Sequence, residues 1–486
     1  MKKFKPYNHQ LVELKRAEDS SRGLFWEMGV GKTLGTILIL RQHYIKAGKL
    51  RKTLILGPTG VLYNWKNEIM DFSKITGENI FVSLGNGVKR VNDLFNFLVN
   101  KEINYPDRSA IVVINYEGLR NAGIFKILKD WAPEILVCDE SHLVKSPKAQ
   151  ISERTFELSL LTQYRYILTG TPLLNNELDF YHQMRILDHG RTFGNNYYIF
   201  RNKWFSDKNA GWKAARPDIK VFSDFKFIEE RREEFSKLIY QTCSRVLLKD
   251  VVDLPPRIEK TIYVELSAQQ KKAYEEMKRD FITFVSSELN SGKPSAIVAQ
   301  IAMVKAIRLQ QICCGIFKTD EGEEIILDNV PRLEELENII REVTVNNKVI
   351  VWCGFTANYR QVMSLCDKIG VKYVLITGSQ NALEKQAAVM SFQDDDQVKV
   401  CIANRKAGGT GINLTKARYS VNYSKGFSLG EELQSRARNY RIGSQQHESI
   451  IAYDLIAKGT IDEEVTKALN KKHDLSKGIL DLVKDL

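Results

Sequence analysis

From Gly23 to Thr169 the chain alternates short apolar runs with longer segments whose apolar residues recur at helical spacing. The runs read "GLFWE", "KTLILG", "AIVVIN", "EILVCDE" and "YRYILTG"; the helical stretches include Gly31 to Ala47 and "VLYNWKNEIMDF". Strands that are apolar nearly throughout need cover on both faces. This predicts a parallel sheet flanked by helices, with strand-to-helix loops along one edge. A second series begins at "KVIVWCG" and continues through "KYVLITG", "VKVCIAN", "RYSVNYS" and "SIIAYDLI", with "NALEKQAAVMSFQ" as an intervening helix. It predicts a second doubly wound α/β lobe, and no close repeat relates the two.

Between roughly 185 and 345 the period changes. "IEERREEFSKLIYQTCSRVLL", "SAQQKKAYEEMKRDFITFVSSEL" and "SAIVAQIAMVKAIRLQQICC" read as helices with charged faces, and the paired prolines of "DLPPRIEK" mark a connector. The expected division is a first lobe over 1–245 with a helical protrusion at 185–245, a connector and second protrusion over 246–345, a second lobe over 346–472, and a helical tail over 473–486.

The 486 residues, 43% of them hydrophobic, suffice for two or three cores. The longest apolar runs are strand-length and the basic N-terminus "MKKFKPYNHQ" has no apolar segment behind it, which argues against secretion and membrane spanning and for a cytoplasmic address. Seven cysteines form no CxxC pair, so buried reduced thiols are expected rather than disulfides or zinc. A net charge of +12 favours a polyanionic partner, because clustered Lys and Arg release counterions from phosphates. Many basic proteins bind no nucleic acid, so charge alone decides nothing.

The chemistry begins at "GLFWEMGVGKTLGTILIL". A strand, a glycine turn and a helix would gather backbone N–H groups around a phosphate, with Lys32 on the β and γ oxygens and Thr33 on Mg²⁺. The usual pattern wants a glycine five residues before Gly31, where this chain has Trp26. "EILVCDESH" puts Asp139 and Glu140 at the end of a buried-type strand, where open α/β sheets bind ligands; Asp139 could hold Mg²⁺ and Glu140 orient the attacking water. "EELQSRARNYRIGS", read as helix, brings Gln434, Arg438 and Arg441 to one face. Each has a plain alternative: a glycine turn with a solvated lysine, an acidic helix cap, a solvated basic face.

Taken together, the chain resembles the Swi/Snf-type, chromatin-remodeller-like branch of superfamily-two helicases, from "PYNHQ" to "GTIDEEV". It is similar at the adenine-reading His9-Gln10, motif I "EMGVGKT", motif Ia "LILGPTGVLYNWKNEI", motif II "DESH", motif III "LTGTPLLNN", motif IV "VIVWCGFT", motif V "AGGTGINLT" and motif VI "QSRARNYRIGS". "VDLPPRIEKTIYVELSAQQKKAYEEM" resembles the connector between lobes. Departures fall at Ser141, Thr410, Tyr440 and Ser444, outside the positions for Mg²⁺ and γ-phosphate.

The resemblance implies an α/β fold of two RecA-like doubly wound parallel-sheet lobes with helical protrusions. It implies ATP and Mg²⁺ as cofactors: Gln10 near the adenine, Gly29, Gly31, Lys32 and Thr33 around the phosphates, Thr33 and Asp139 on the metal, Glu140 on the water. Gln434, Arg438 and Arg441 would complete the site, with Gly411 beside the nucleotide and Thr169 and Thr171 coupling hydrolysis to lobe movement. DNA-backbone contacts are implied for Pro58, Thr59, Asn115, Tyr116, Gly354, Phe355, Thr377, Gly378, Lys406, Gly408 and Gly409; such contacts carry little sequence information. The basic stretch 201–220, with Trp204, Phe205 and Trp212, is either a further DNA surface or the core of the first protrusion.

The expected function is therefore an ATP-dependent translocase on double-stranded DNA that remodels or displaces bound proteins. It is expected as a compact, monomeric, bacterial or phage-like motor without zinc or membrane partners. Rival readings are a strand-separating or branch-migrating helicase, with Phe427 or Trp212 as a pin, and a non-catalytic DNA-binding scaffold.

Overall fold

The computed structural model describes residues 4–85, 87–104, 110–172, 177–215, 223–290, 296–318, 324–327, 329–405 and 412–481. The chain divides into two compact units, 1–206 with 227–253 and 475–486, and 207–226 with 254–474.

In the first unit, Arg22–Trp26 (β1), Thr53–Gly57 (β2), Ile80–Ser83 (β3), Ile111–Asn115 (β4), Ile135–Asp139 (β5) and Tyr164–Leu168 (β6) lie in the order β3-β4-β2-β5-β6-β1, with Cys243–Val246 beyond β1. Every pairing is parallel. Leu54, Ile55 and Leu56 of β2, and Leu136 and Val137 of β5, are all fully buried, which is why these strands read as unbroken apolar runs. All strands point one way, so the loops after β1, β2, β4, β5 and β6 gather at one sheet edge. Three helices set the frame for that edge: Asn8–Arg16 (α1), Lys32–Ala47 (α2) and Leu62–Phe72 (α3).

Two strands of this sheet lie outside the alternating pattern. Ile80–Ser83 is a four-residue edge strand. Cys243–Val246 corrects the expectation of helix through "QTCSRVLL": the helix Arg232–Tyr240 ends first. The reason is a partner distant in sequence. Gly23 pairs with Cys243, and a Cβ on Gly23 would come within 2.4 Å of the Cys243 Sγ, so only glycine lets this strand dock.

The second unit carries six parallel strands in the order Arg257–Val264, Ile450–Ala457, Ala417–Asn422, Lys348–Cys353, Val398–Asn404, Lys372–Ile376. The connector after "DLPP" thus becomes an edge strand, registered residue for residue on Ile450–Ala457. Val349, Val351, Val400 and Ile402 pack one sheet face against Leu336, Ile340 and Val362; Ile350, Trp352 and Cys401 pack the other against Phe392 and Leu414. The predicted helices are found at Ala268–Asn290, Ala296–Cys313 and Ala382–Asp394.

All seven cysteines are free and buried. Trp204 and Phe205 are core residues, Trp204 lying 5.1 Å from Phe235 and 6.1 Å from Phe193 between ring centroids, whereas Trp212 is 67% exposed. Trp204 and Phe205 therefore meet the core expectation. Among the described residues no helix is long and apolar enough to cross a membrane.

Candidate functional site

The loop after β1 turns on two glycines in the left-handed region, Gly29 (φ 87°) and Gly31 (φ 83°), where a side chain would be strained. Gly31 caps α2, and Lys32 is its first residue. The Lys32 ammonium donates to the carbonyls of Trp26 (2.9 Å) and Glu27 (3.2 Å), so it lies folded against its own loop. Gln10 is buried and braces both sides: its Nε2 donates to the Gly31 carbonyl at 3.0 Å and its Oε1 accepts from the Tyr7 N–H at 2.9 Å. A Cβ on Gly31 would stand 2.6 Å from that Nε2.

Trp26 occupies the position of the missing glycine because it ends β1 and points into the core. It is 1% exposed, its indole N–H donates to Ser244 Oγ at 2.8 Å, and His9 meets its ring edge-on at 4.7 Å. Gly35 of α2 leaves room for the indole; a Cβ there would lie 2.9 Å from the ring. The loop is compact because a tryptophan fills its base.

Asp139 ends β5, the strand between β2 and β6. One carboxylate oxygen accepts from the Trp65 indole N–H at 2.9 Å and the other from the Glu140 N–H at 3.0 Å. Burial, then repulsion from Glu140, raises its pKa to about 6, against the opposing pull of Trp65 and Lys32. Glu140 adopts a left-handed backbone (φ 53°), which costs a non-glycine residue about 1–3 kcal/mol and persists only where surroundings impose it. Its Oε2 lies 3.3 Å from both Thr169 Oγ1 and His142 Nδ1, while Thr169 Oγ1 also accepts the Thr171 N–H at 3.1 Å. Motifs II and III are thus one hydrogen-bonded cluster. Two crowded, partly desolvated carboxylates beside a lysine suit a hard cation, which can take one carboxylate with phosphate oxygens, so the chemistry of Asp139 fits Mg²⁺.

Three further residues belong to this cluster, two of them, Trp65 and His142, inside motifs Ia and II. Trp65 orients Asp139; His142 meets Glu140 and Thr169; buried Gln183 accepts from Ser141 Oγ at 2.7 Å and donates to the Pro172 carbonyl at 3.0 Å. Ser141 departs from the usual alanine because its hydroxyl has this partner.

Of the DNA candidates in the first unit, Thr59 is exposed, Pro58 half-buried, and Asn115 Nδ2 donates to Thr59 Oγ1 at 3.1 Å. The Tyr116 ring is buried and its hydroxyl donates to the Asp139 carbonyl at 2.8 Å, so only its backbone could face a ligand. In the second unit Gly354 and Gly378 are exposed and Phe355 is half-buried. Thr377 is buried, with its hydroxyl 2.9 Å from that of Ser379. Lys406, Gly408, Gly409, Thr410 and Gly411 lie outside the described residues.

The helix carrying Gln434 runs Leu429–Arg436 and stops there, which corrects the shared-face argument: Arg438 and Arg441 lie in the turns beyond it. Beyond Arg436 the last turn tightens, the Arg438 N–H donating to the Ser435 carbonyl at 3.1 Å while the Arg438 carbonyl accepts from the Leu414 N–H at 3.0 Å. The two arginines converge all the same, both donating to the Ile412 carbonyl, at 3.1 and 3.4 Å. Arg438 Nε also donates to the Gln434 carbonyl at 3.0 Å. Arg257 lies over the Tyr440 ring, 5.7 Å from its centroid, which gives the tyrosine a packing role. Phe427 packs on the Leu429–Val465–Leu469 cluster rather than standing free as a pin.

Residues 9–317 match the SNF2-related domain, and residues 331–443 match the helicase conserved C-terminal domain. The chain belongs to the SNF2-related family. Its members are ATP hydrolases of the helicase type. The SNF2-related chain is 26% identical over 451 residues to an "Uncharacterized ATP-dependent helicase" of Mycoplasma pneumoniae, covering 92% of this chain and 39% of that protein. It is 25% identical over 481 residues to the CHD3-type chromatin-remodeling factor PICKLE of Arabidopsis thaliana, covering 92% and 32%. It is 25% identical over 503 residues to the DNA repair and recombination protein RAD54B of Gallus gallus, covering 94% and 51%. The chain thus spans between about a third and a half of these relatives. Among solved structures it is similar to the Sulfolobus solfataricus SWI2/SNF2 ATPase core in complex with dsDNA, with 22% identity, a TM-score of 0.43, and coverage of 98% of this chain and 93% of that one.

Proposed function

We propose that this SNF2-related chain is an ATP-dependent translocase on double-stranded DNA, moving along the phosphate backbone to remodel or displace what is bound there. The observation that carries the reading is the cluster at one sheet edge: the Lys32 loop, Asp139 beside it, and Glu140 bonded to Thr169. Lys32 binds and neutralises phosphate oxygens, Glu140 orients the attacking water, and Thr169 transmits the state of Glu140 to motif III. Mg²⁺, held by Thr33 and Asp139, would supply charge neutralisation of the phosphates. Closure of the second lobe would deliver Gln434, Arg438 and Arg441 to the same nucleotide. DNA would be tracked through backbone contacts at Pro58, Thr59, Asn115, Gly354, Phe355 and Gly378, together with the motif V residues Lys406, Gly408 and Gly409. The reading takes the protein as a monomeric motor.

Of the two candidate pins, Phe427 is packed on its cluster and Trp212 is exposed, so the choice between translocation and strand separation falls to the assay. The test compares ATP turnover on duplex, forked and single-stranded DNA with displacement of a triplex-forming strand. Intact duplex is expected to stimulate turnover at least as well as single strands, and the triplex strand to be released without duplex unwinding. Strong ATP-driven unwinding of a fork would favour the helicase reading. A wild type with no more turnover than Lys32→Ala on any nucleic acid would leave the non-catalytic scaffold.

A further inference from the structure

We infer that Trp65 is a positioning residue that fixes the direction of the Asp139 carboxylate toward the metal and links it mechanically to the DNA-facing turn at Pro58–Thr59. The inference rests on the motor reading above and deepens it. Trp65 sits on α3, on the face that also buries Leu62 and Ile69, and is itself 1% exposed. Its indole N–H reaches one Asp139 oxygen at 2.9 Å while the Glu140 N–H holds the other at 3.0 Å, so the carboxylate cannot rotate without losing a bond. Gly57, the last residue of β2, closes a third side: a Cβ there would stand 3.5 Å from the Asp139 Cβ and 3.2 Å from Val61.

The same short path leads to the surface. β2 runs into Pro58, the turn Thr59–Val61, and then directly into α3, with Trp65 one turn further on. Asn115 holds Thr59 from the side at 3.1 Å, and its neighbour Tyr116 donates to the Asp139 carbonyl at 2.8 Å. A phosphate pressing on Thr59 therefore acts on a rigid unit whose next buried polar contact is the metal-facing carboxylate. Hydrogen bonds to charged groups in dry surroundings are among the stronger ones, so losing the indole N–H loosens the hold on the carboxylate.

The test measures the affinity of a fluorescent ATP analogue for the full chain in Mg²⁺ and in EDTA, with and without duplex DNA. Trp65→Phe removes the donor and keeps an aromatic ring; Trp65→Leu is the second variant, and either one that folds suffices. Ile69→Val, on the same buried face, controls for packing. The Mg²⁺-dependent gain in affinity is expected to fall about tenfold in the Trp65 variants and to stay within about twofold in Ile69→Val, with affinity in EDTA within about twofold throughout. Duplex is expected to lower the Mg²⁺ half-saturation of wild type and not of the Trp65 variants. An unchanged gain, an equal loss in EDTA, or a duplex effect that survives Trp65→Phe overturns the inference. A wild type that gains nothing from Mg²⁺ instead overturns the motor reading on which it rests.

Discussion

Glu432 is the hub of a buried ion network in the second unit, and its removal has a magnitude that can be worked out. Arg405 approaches within 3.1 Å, at ion-pair distance, with both side chains under 5% exposed; Arg436 lies 3.1 Å from the other oxygen and continues to Glu259 at 2.9 Å. Arg405 also donates to Asn422 at 2.6 Å. Burial alone would push the Glu432 carboxyl up, but Arg405, Arg436 and Lys425 outweigh it and hold the pKa at about 2 against an ordinary 4.5. At about 1.36 kcal/mol per pH unit, that depression corresponds to roughly 3 kcal/mol of stability at neutral pH. The sign follows from the direction: a depressed carboxylate stabilises fully above its unfolded value near 4.5, and the contribution fades as pH falls toward 2. Glu432→Gln should therefore lower the second-unit thermal transition by about 6–12 °C at pH 7, using about 2–4 °C per kcal/mol for a lobe of this size. The gap to wild type should narrow between pH 5 and pH 3. Calorimetry at several pH values measures both, and hydrogen exchange of the amides in Leu429–Arg436 reports whether the loss is local. Midpoints that agree within about 2 °C at pH 7, or a gap that ignores pH, would refute the electrostatic account.

Other expectations follow from the same geometry. Gly31→Ala places a Cβ 2.6 Å from Gln10 Nε2 at a left-handed φ, so nucleotide affinity should drop at least about tenfold by fluorescence titration, with the strain alone worth about 1–2 kcal/mol. Trp204→Ala should cost about 3–5 kcal/mol in chemical denaturation because the ring is a core member, whereas Trp212→Ala should change stability by less than about 0.5 kcal/mol. If the exposed Trp212 stacks on nucleic acid, Trp212→Ala will also weaken DNA binding by about 1–3 kcal/mol in a salt titration; unchanged affinity assigns the ring no such role.

The alternating apolar runs made most of the fold legible, because a strand such as Leu54–Leu56 that is buried on both faces leaves few positions for a polar residue. Cys243–Val246 was not legible: "CSRV" follows a charged helix by two residues, and its identity as a strand depends on the absence of a Cβ at Gly23, more than two hundred positions away. The same holds at the site. Lys32, Asp139 and Glu140 announce themselves by type and by position after strand ends, whereas Trp65, His142 and Gln183 act through tertiary hydrogen bonds, and the helical spacing of Trp65 with Leu62 and Ile69 shows only that it is buried. A tryptophan within the otherwise polar "YNWKNE" was the available hint. The helical spacing of Gln434, Arg438 and Arg441 implied one shared helix face, but the helix ends at Arg436, and it is shared bonding to Ile412 that gathers the two arginines.

The central claim is that hydrolysis needs arginines from the second lobe at a nucleotide held by the first. Turnover and nucleotide affinity of Arg441→Ala, measured beside wild type on saturating duplex DNA, test it most directly. Affinity should stay nearly intact while turnover falls by about 10³-fold, as for other arginine fingers. Turnover equal to that of wild type would contradict the account.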